Sequence, residues 1–410
     1  MIPLNPLKNI IQTMKDIKRV AAVYLSKFWK LGRNAASAVI RLFNPVKKGR
    51  VVLWAYDFKQ YSCNPKALTE YILEHHPEYE VWWVFRKRID ISALDGKVNC
   101  VRFRTLEYQK IINTAEFIIT NCRTDPYSYY WRKRKGQKYI MQWHGGVALK
   151  KVEKDAEDKL GYKYLTKAKA DSKACDLMIS GSGIQTDLIR SAFWYDKEIL
   201  EKGTPRNDIF FDTNDHSRIK ADVCKIIGVP QDSKLVLYAP TFRKPVTIEP
   251  YRIDWKATTE AFRKFFGCEN VTILLRLHPN LIGRADTSSL LNDPAVVDMT
   301  RYHDMAELLC ISDVLITDYS SSMFDYSLLK RPCILYATDL EAYDRGYYHK
   351  FSDLPYPIAQ SQEELLNVIE SFDAVAYQAD LEDFMTNTVR ISESGEASKA
   401  QVEWMKAHSL

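Results

Sequence analysis

From Arg50 to Tyr336 the chain alternates short apolar runs with amphipathic ones, and it does so in two successive series. "RVVLWAY" predicts a strand, and "NPKALTEYILEHH" predicts a helix with Asn64 as cap and Pro65 in its first turn. "YEVWWVF", a helix near "TLEYQKIINTA", and the strands "EFIITN", "KYIMQW" and "DLMISG" continue the first series. After "EILEKGTPRND" the pattern restarts with "KLVLYAP", "VTILLRLHP", "AVVDMT", "MAELLCISDVLIT" and "DYSSSMFDYSLLKRPCILY". Alternation of this kind builds a parallel sheet covered by helices on both faces. The restart predicts two such sheets: an α/β chain of two doubly wound, Rossmann-like domains facing a cleft. A length of 410 residues suits two domains with additional segments. The expected divisions are a basic segment at 1–47, a first domain at 48–203, a second at 204–380, and terminal helices at 381–410 that pack back on the first domain.

Charge is unevenly placed along this frame. Residues 1–50 hold eleven Lys or Arg against one acid, Asp16, whereas the rest of the chain holds 47 basic and 51 acidic residues. Within that arm Ile11, Met14, Ile17, Val20, Tyr24, Phe28 and Leu31 recur at helical spacing, with Lys and Arg between them. A basic amphipathic helix with Trp and Phe suits the interface of an anionic membrane. An ordinary helix packed on the body, its charges solvated, is the competing reading. No nucleic-acid-binding module is recognisable, and no apolar run reaches the roughly 18–20 residues of a membrane span. The eight cysteines stand singly with no CxxC pair, which is neither a zinc nor a disulfide pattern and fits a reducing cytosol.

In doubly wound sheets, ligands collect beyond the carboxyl ends of the strands. After "YIMQW" come His144, Gly145 and Gly146, then a predicted helix with Lys150 and Lys151. After "DLMIS" comes Gly181-Ser182-Gly183, and after "LVLYAP" come Thr241 and Arg243. "ILLRLHPN" ends with Arg276 and His278, and "VLIT" with Asp318, Ser320, Ser321 and Ser322, followed by Asp325 in the next helix. Imidazole is suited to general-base work near neutral pH, and Arg forks with a Ser-lined helix mouth stabilise phosphoryl oxygens. Together these groups suit phosphoryl transfer in a cleft. Each also has a plainer reading. His144 could cap the following helix, His278 could bond a strand-end carbonyl, one serine could serve only as an N-cap, and Asp318 could brace its loop by accepting backbone N–H groups. The loop "WRKRKGQK" reads first as solvated, with contact to anionic substrate as the alternative. No cluster has metal-ligand spacing; Asp318 and Asp325, seven apart across a turn, leave a metal site open but do not indicate one, and no cofactor is required.

"QWHGGVALKK", "GTPRNDIFF", "LYAPTFR", "LLRLHPN", "LITDYSSSMFDYSLLKRPCILY" and "DLEAYDRGYY" resemble, in that order, the motifs of the CDP-glycerol glycerophosphotransferase family, the bacterial teichoic-acid and capsule polyol-phosphate transferases. The resemblance runs from about Tyr139 to Tyr348. It implies a GT-B-like fold with an acceptor-side first domain and a CDP-donor second domain. The implied reaction moves glycerol phosphate from CDP-glycerol to a hydroxyl of a membrane-lipid-linked glycan or polyol-phosphate acceptor, releasing CMP. It would take place at the cytoplasmic face of the membrane, with the protein peripheral and no nucleic acid involved. By position His144 would be the base, and His278 with Arg276 would hold the donor phosphates. Ser320, Ser321 and Ser322 would cradle the diphosphate and Asp325 would meet ribose or polyol hydroxyls, while Arg243, Asp318 and Arg345 would complete the donor side. Gly145, Gly146, Lys150 and Lys151 would lie on the acceptor side, and Pro205, Arg206, Asn207 and Asp208 where the chain crosses between domains. The chain departs from the family at Gly146-Val147, where Thr-Pro is usual, and at Tyr356, where Gly is usual; both positions are expected to border the acceptor or polyol. CDP-ribitol as donor, a nucleotide-sugar transferase or epimerase on the same fold, and a non-catalytic binder of anionic lipid or glycan are the alternatives.

Overall fold

The computed structural model describes residues 31–125, 131–243, 247–278, 281, 284, 286–340 and 346–410. The predicted arm before Leu31, the "YSYY" stretch and Arg345 lie outside the described residues. Two parallel sheets form the body. The first contains β1 (Lys47–Trp54), β2 (Glu80–Phe85), β3 (Asn99–Arg102), β4 (Ala115–Thr120), β5 (Lys138–Met141), β6 (Leu177–Ile179) and β7 (Glu198–Leu200), in the order β3-β2-β1-β4-β5-β6-β7. The second contains β8 (Lys234–Tyr238), β9 (Val271–Leu275), β10 (Val296–Asp298), β11 (Val314–Thr317), β12 (Cys333–Tyr336) and β13 (Ile358–Ala359), in the order β10-β9-β8-β11-β12-β13. Every residue of β4, β9, β11 and β12 is buried, as strands covered on both faces require. Strand order reverses between β1 and β4 and again between β8 and β11, so each sheet has a crevice at its carboxyl edge.

The two series interlock. Val147 and Leu149, from the loop after β5, are buried with Phe210, Tyr319, Met323 and Phe324 in the core of the second sheet. In the other direction, the terminal helix Ala397–Ala407 sends Val402, Trp404 and Met405 into the core around Val51, Leu53 and Trp83. Trp404 Nε1 donates to Glu198 at 2.8 Å, and Gln142 Nε2 to Gln401 at 2.9 Å. Lys66, on the helix Cys63–His75, donates across the cleft to Asp304 at 2.8 Å and Glu307 at 2.6 Å. That helix corrects one expectation. It starts at Cys63 with Ser62 in the cap position, and Asn64 does not cap it. The Asn64 amide instead donates to the carbonyls of Gln142 (3.3 Å) and Trp143 (3.0 Å) and accepts from the Arg206 N–H at 3.0 Å.

Candidate active site

His144 follows β5, next to the switch point of the first sheet. Its Nδ1 lies 2.8 Å from the backbone oxygen of Asn121, just beyond β4. A carbonyl only accepts, so Nδ1 carries the proton and Nε2 presents its lone pair. Among the described residues nothing bonds Nε2, and the side chain is exposed to the cleft. Trp143 stacks obliquely on the ring with centroids 4.5 Å apart, and Tyr56 approaches it edge-on at 5.7 Å. Trp143 holds this place with φ at +54°, strained for a non-glycine residue. Behind it a buried Arg123 pairs with Glu153 (3.0 Å) and Asp171 (3.1 Å), its guanidinium 6.0 Å from the Trp143 ring. Protein walls around the cleft push the His144 pKa below its ordinary value; the Asn121 carbonyl opposes this and the Arg206 charge adds to it.

On the opposite wall, β11 leads into Asp318 and the serine turn, then the short helix Ser322–Tyr326. Ser320 Oγ accepts from Ser322 N at 3.3 Å and lies 2.8 Å from Ser322 Oγ, while Ser321, in the cap position, makes no side-chain capping bond. One serine thus braces the turn. Two of the expected donor contacts are corrected here. Asp318 is 1% exposed and accepts the Thr241 N–H at 2.9 and 3.0 Å. Arg243 is 4% exposed and spends its guanidinium on Asp318, on the Thr241 carbonyl and on both oxygens of Asp339, each at 3.0 Å. The pair is a buried ionic knot that shapes the turn, because each charge is matched internally and neither reaches the cleft.

Arg276 and His278 leave β9 on the cleft side. Arg276 donates to the Tyr302 carbonyl at 2.8 Å and has no ion pair among the described residues; burial lowers its pKa, with Asp304 opposing. The His278 side chain is exposed, and burial on its inner side together with the Lys150 charge lowers its pKa. Lys150 therefore faces His278 from the other domain. The loop that carries it is fixed to the chain after Arg345: Lys151 N donates to Gly346 O and Tyr348 N to Leu149 O, both at 2.9 Å. Gly346, at φ +72°, leaves room for the Lys151 side chain, which a Cβ there would meet at 3.3 Å. At the two family departures Gly146 is half-buried beside Asp325, whereas the larger side chains are packed. Val147 and Tyr356 are 5% and 3% exposed in the core that supports Phe324, and the Tyr356 hydroxyl lies 2.8 Å from Ser327 Oγ.

The two walls meet through the linker. Pro205, Arg206, Asn207 and Asp208 sit in the 3-10 segment Pro205–Phe211, between β7 and β8. Arg206 Nη1 donates to the His144 carbonyl at 2.6 Å, and Nη2 forks onto Asp325 at 3.0 and 2.9 Å. Asp325 was expected to meet ribose or polyol hydroxyls; its oxygens are instead taken by Arg206. A Cβ on Gly146 would lie 3.5 Å from Asp325 Oδ1, so the histidine loop packs against the helix that follows the serine turn. Gly145 continues that loop, its carbonyl 3.5 Å from Gln185 Nε2. Asp208 caps the terminal helix, accepting from Ala397 N at 2.9 Å and Ser398 N at 2.8 Å. Sequence patterns pointed to neither Asn121 nor Glu393. Asn121 ends a strand without a charge to mark it, and Glu393 is one acid in a polar tail, yet it reaches the linker at Thr204 and Asn207.

The model of the family described as CDP-Glycerol:Poly(glycerophosphate) glycerophosphotransferase matches residues 36–402. The teichoic acid poly(glycerol phosphate) polymerase of Staphylococcus epidermidis is 33% identical over 400 residues, covering 92% of this chain and 54% of that protein. The chain thus spans about half the length of the curated polymerases it matches first. The teichoic acid glycerol-phosphate transferase of Staphylococcus aureus is 32% identical over 341 residues, 80% of this chain and 85% of that protein. A solved structure of the wall teichoic acid polymerase TagF superposes with a TM-score of 0.77 at 30% identity, covering 97% of this chain and 98% of that one. The paired sheets are those of a GT-B-like fold.

Proposed function

This chain belongs to the CDP-glycerol:poly(glycerophosphate) glycerophosphotransferase family, and from that premise we propose that it transfers glycerol phosphate from CDP-glycerol to a hydroxyl of a membrane-lipid-linked glycan or polyol-phosphate acceptor, in teichoic-acid or capsule-type polymer synthesis. The acceptor oxygen attacks the phosphorus that bears glycerol, and its proton passes to His144 Nε2. The bond from that phosphorus to the bridging oxygen breaks, and CMP leaves with the electron pair. The observation that carries this reading is the His144 tautomer, set by the 2.8 Å contact with Asn121 O, on a loop that packs against the helix after the serine turn. Arg276 and Lys150 supply positive charge where the diphosphate would lie, the exposed His278 ring supplies an N–H donor, and the backbone and hydroxyl of Ser321 supply further donors. Positioning and electrostatics account for most of the rate in such a step.

Attachment at the cytoplasmic face of the membrane belongs to the same proposal. Residues 31–43 are helical, and Leu42 and Phe43 on that helix are 77% and 75% exposed beside Arg41. Among the described residues no helix is long and apolar enough to cross a membrane. The test is a donor panel of CDP-glycerol, CDP-ribitol and UDP-sugars with a synthetic lipid-linked disaccharide, the product weighed by mass spectrometry. CMP release with a gain of one glycerol phosphate supports the proposal. Ribitol phosphate or sugar transfer in its place, or donor binding without nucleotide release, replaces it.

A further inference from the structure

Glu393 lies in the stretch between the helical turn Phe384–Val389 and the terminal helix, yet its carboxylate is set into the carboxyl edge of the first sheet. The slot exists because two positions lack side chains. A Cβ on Gly181, beyond β6, would come 2.0 Å from Oε1, and one on Gly203, beyond β7, would come 2.6 Å from Oε2. Gly203 also has φ at +103°, which a side chain rarely adopts. Thr204 N (2.9 Å), Thr204 Oγ1 (2.7 Å) and Asn207 Nδ2 (2.9 Å) donate to the carboxylate. The same Asn207 Nδ2 lies 3.5 Å from Asp325 Oδ1, while Asn207 Oδ1 is buried without a hydrogen-bond partner. Two carboxylates therefore dictate which way this amide points. Between Thr204 and Asn207 stands Arg206, which joins the His144 carbonyl to Asp325.

We propose that Glu393 is a positioning residue: its ionised carboxylate fixes the Asn207 amide and the Thr204–Asn207 linker, so that Arg206 holds the His144 loop and the serine-turn helix in one register. The inference rests on His144 as the base. Burial pushes the Glu393 pKa up to about 7, with Asp325 adding to that rise against the bonds from Thr204 and Asn207. Other charged groups on the packed elements are Arg206 and Asp208 on the linker, Arg390 paired with Asp187, Glu396 paired with Lys399, and Asp325 paired with Arg206. On protonation Glu393 becomes a donor, the Asn207 amide turns its oxygen towards it, and the amide contact with Asp325 is lost.

The test compares the unsubstituted protein with Glu393→Gln. At pH 8 the expected result is turnover reduced about tenfold, with KM for CDP-glycerol within twofold and a single unfolding transition. The substitution should also remove the activity limb near pH 7. Independently of turnover, the His144 ring followed by NMR should show an inflection near pH 7 that Glu393→Gln abolishes. An unchanged pH profile and turnover in Glu393→Gln overturns the proposal. So does loss of cooperative unfolding together with donor binding, which marks a purely structural residue. If no CDP-polyol yields CMP with either protein, the transfer reading fails, and the His144 inflection still decides Glu393.

Discussion

At His144 the carbonyl of Asn121 decides the tautomer, and the cleft decides the proton affinity. Enclosure by protein keeps the imidazole neutral at pH 7, because its pKa lies below the ordinary 6.5. Turnover in Glu393→Gln should accordingly fall with a single acid limb below pH 6.5, as His144 gains a proton and loses its lone pair; a limb above 7 would contradict the assignment. Arg243 is a different case. Replacing it with Ala leaves Asp318 and Asp339 facing each other without a counter-charge, and breaking a buried pair in this way costs about 3–5 kcal/mol. Urea unfolding should register that loss, whereas an unchanged stability with a weakened KM for CDP-glycerol would return Arg243 to the donor site. The placement of His144 beyond β5 was legible in the sequence, because an apolar run followed by His-Gly-Gly marks a strand end. Arg243 and Asp318 were not, because sequence shows which charges lie near a strand end but not which of them neutralise one another.

The elements were largely legible. Apolar runs such as "VLIT" and "EFIIT" become strands buried on both faces, and the restart after "GTPRND" marks the passage from β7 to β8. What periodicity does not reveal is where a loop plugs in. The segment after His144, expected as a helix carrying Lys150 and Lys151, is irregular instead, because Val147 and Leu149 are inserted in the second core. Likewise Asn64, a strong capping residue by type, is drawn from the helix end by the carbonyls of Gln142 and Trp143. Tertiary partners override local preference when they satisfy more groups. Tyr356 tests the packing reading of the family departures. Tyr356→Phe removes one buried contact with Ser327, so unfolding should cost about 1 kcal/mol, with the preference between CDP-glycerol and CDP-ribitol unchanged. A shifted preference at unchanged stability would place Tyr356 beside the polyol after all.

At the scale of the whole molecule, two switch-point crevices face each other and the linker sets their distance. Lys66 with Asp304 and Glu307, Arg206 with Asp325, and the Lys151–Gly346 bridge span the cleft at separate places, so the walls are joined on several sides. Two facing sheets followed from the doubled alternation of strands and helices. Their register did not, since it depends on a buried acid from the tail and on Gly181 and Gly203, which leave room for it. The most direct test of the central claim is His144→Ala, studied by calorimetric titration of CDP-glycerol and by single-turnover CMP release in the presence of acceptor. Donor affinity should stay within about twofold while CMP release falls by about 10²–10⁴, the usual share of a general base. CMP release within a few-fold of the unsubstituted protein would show that the proton goes elsewhere.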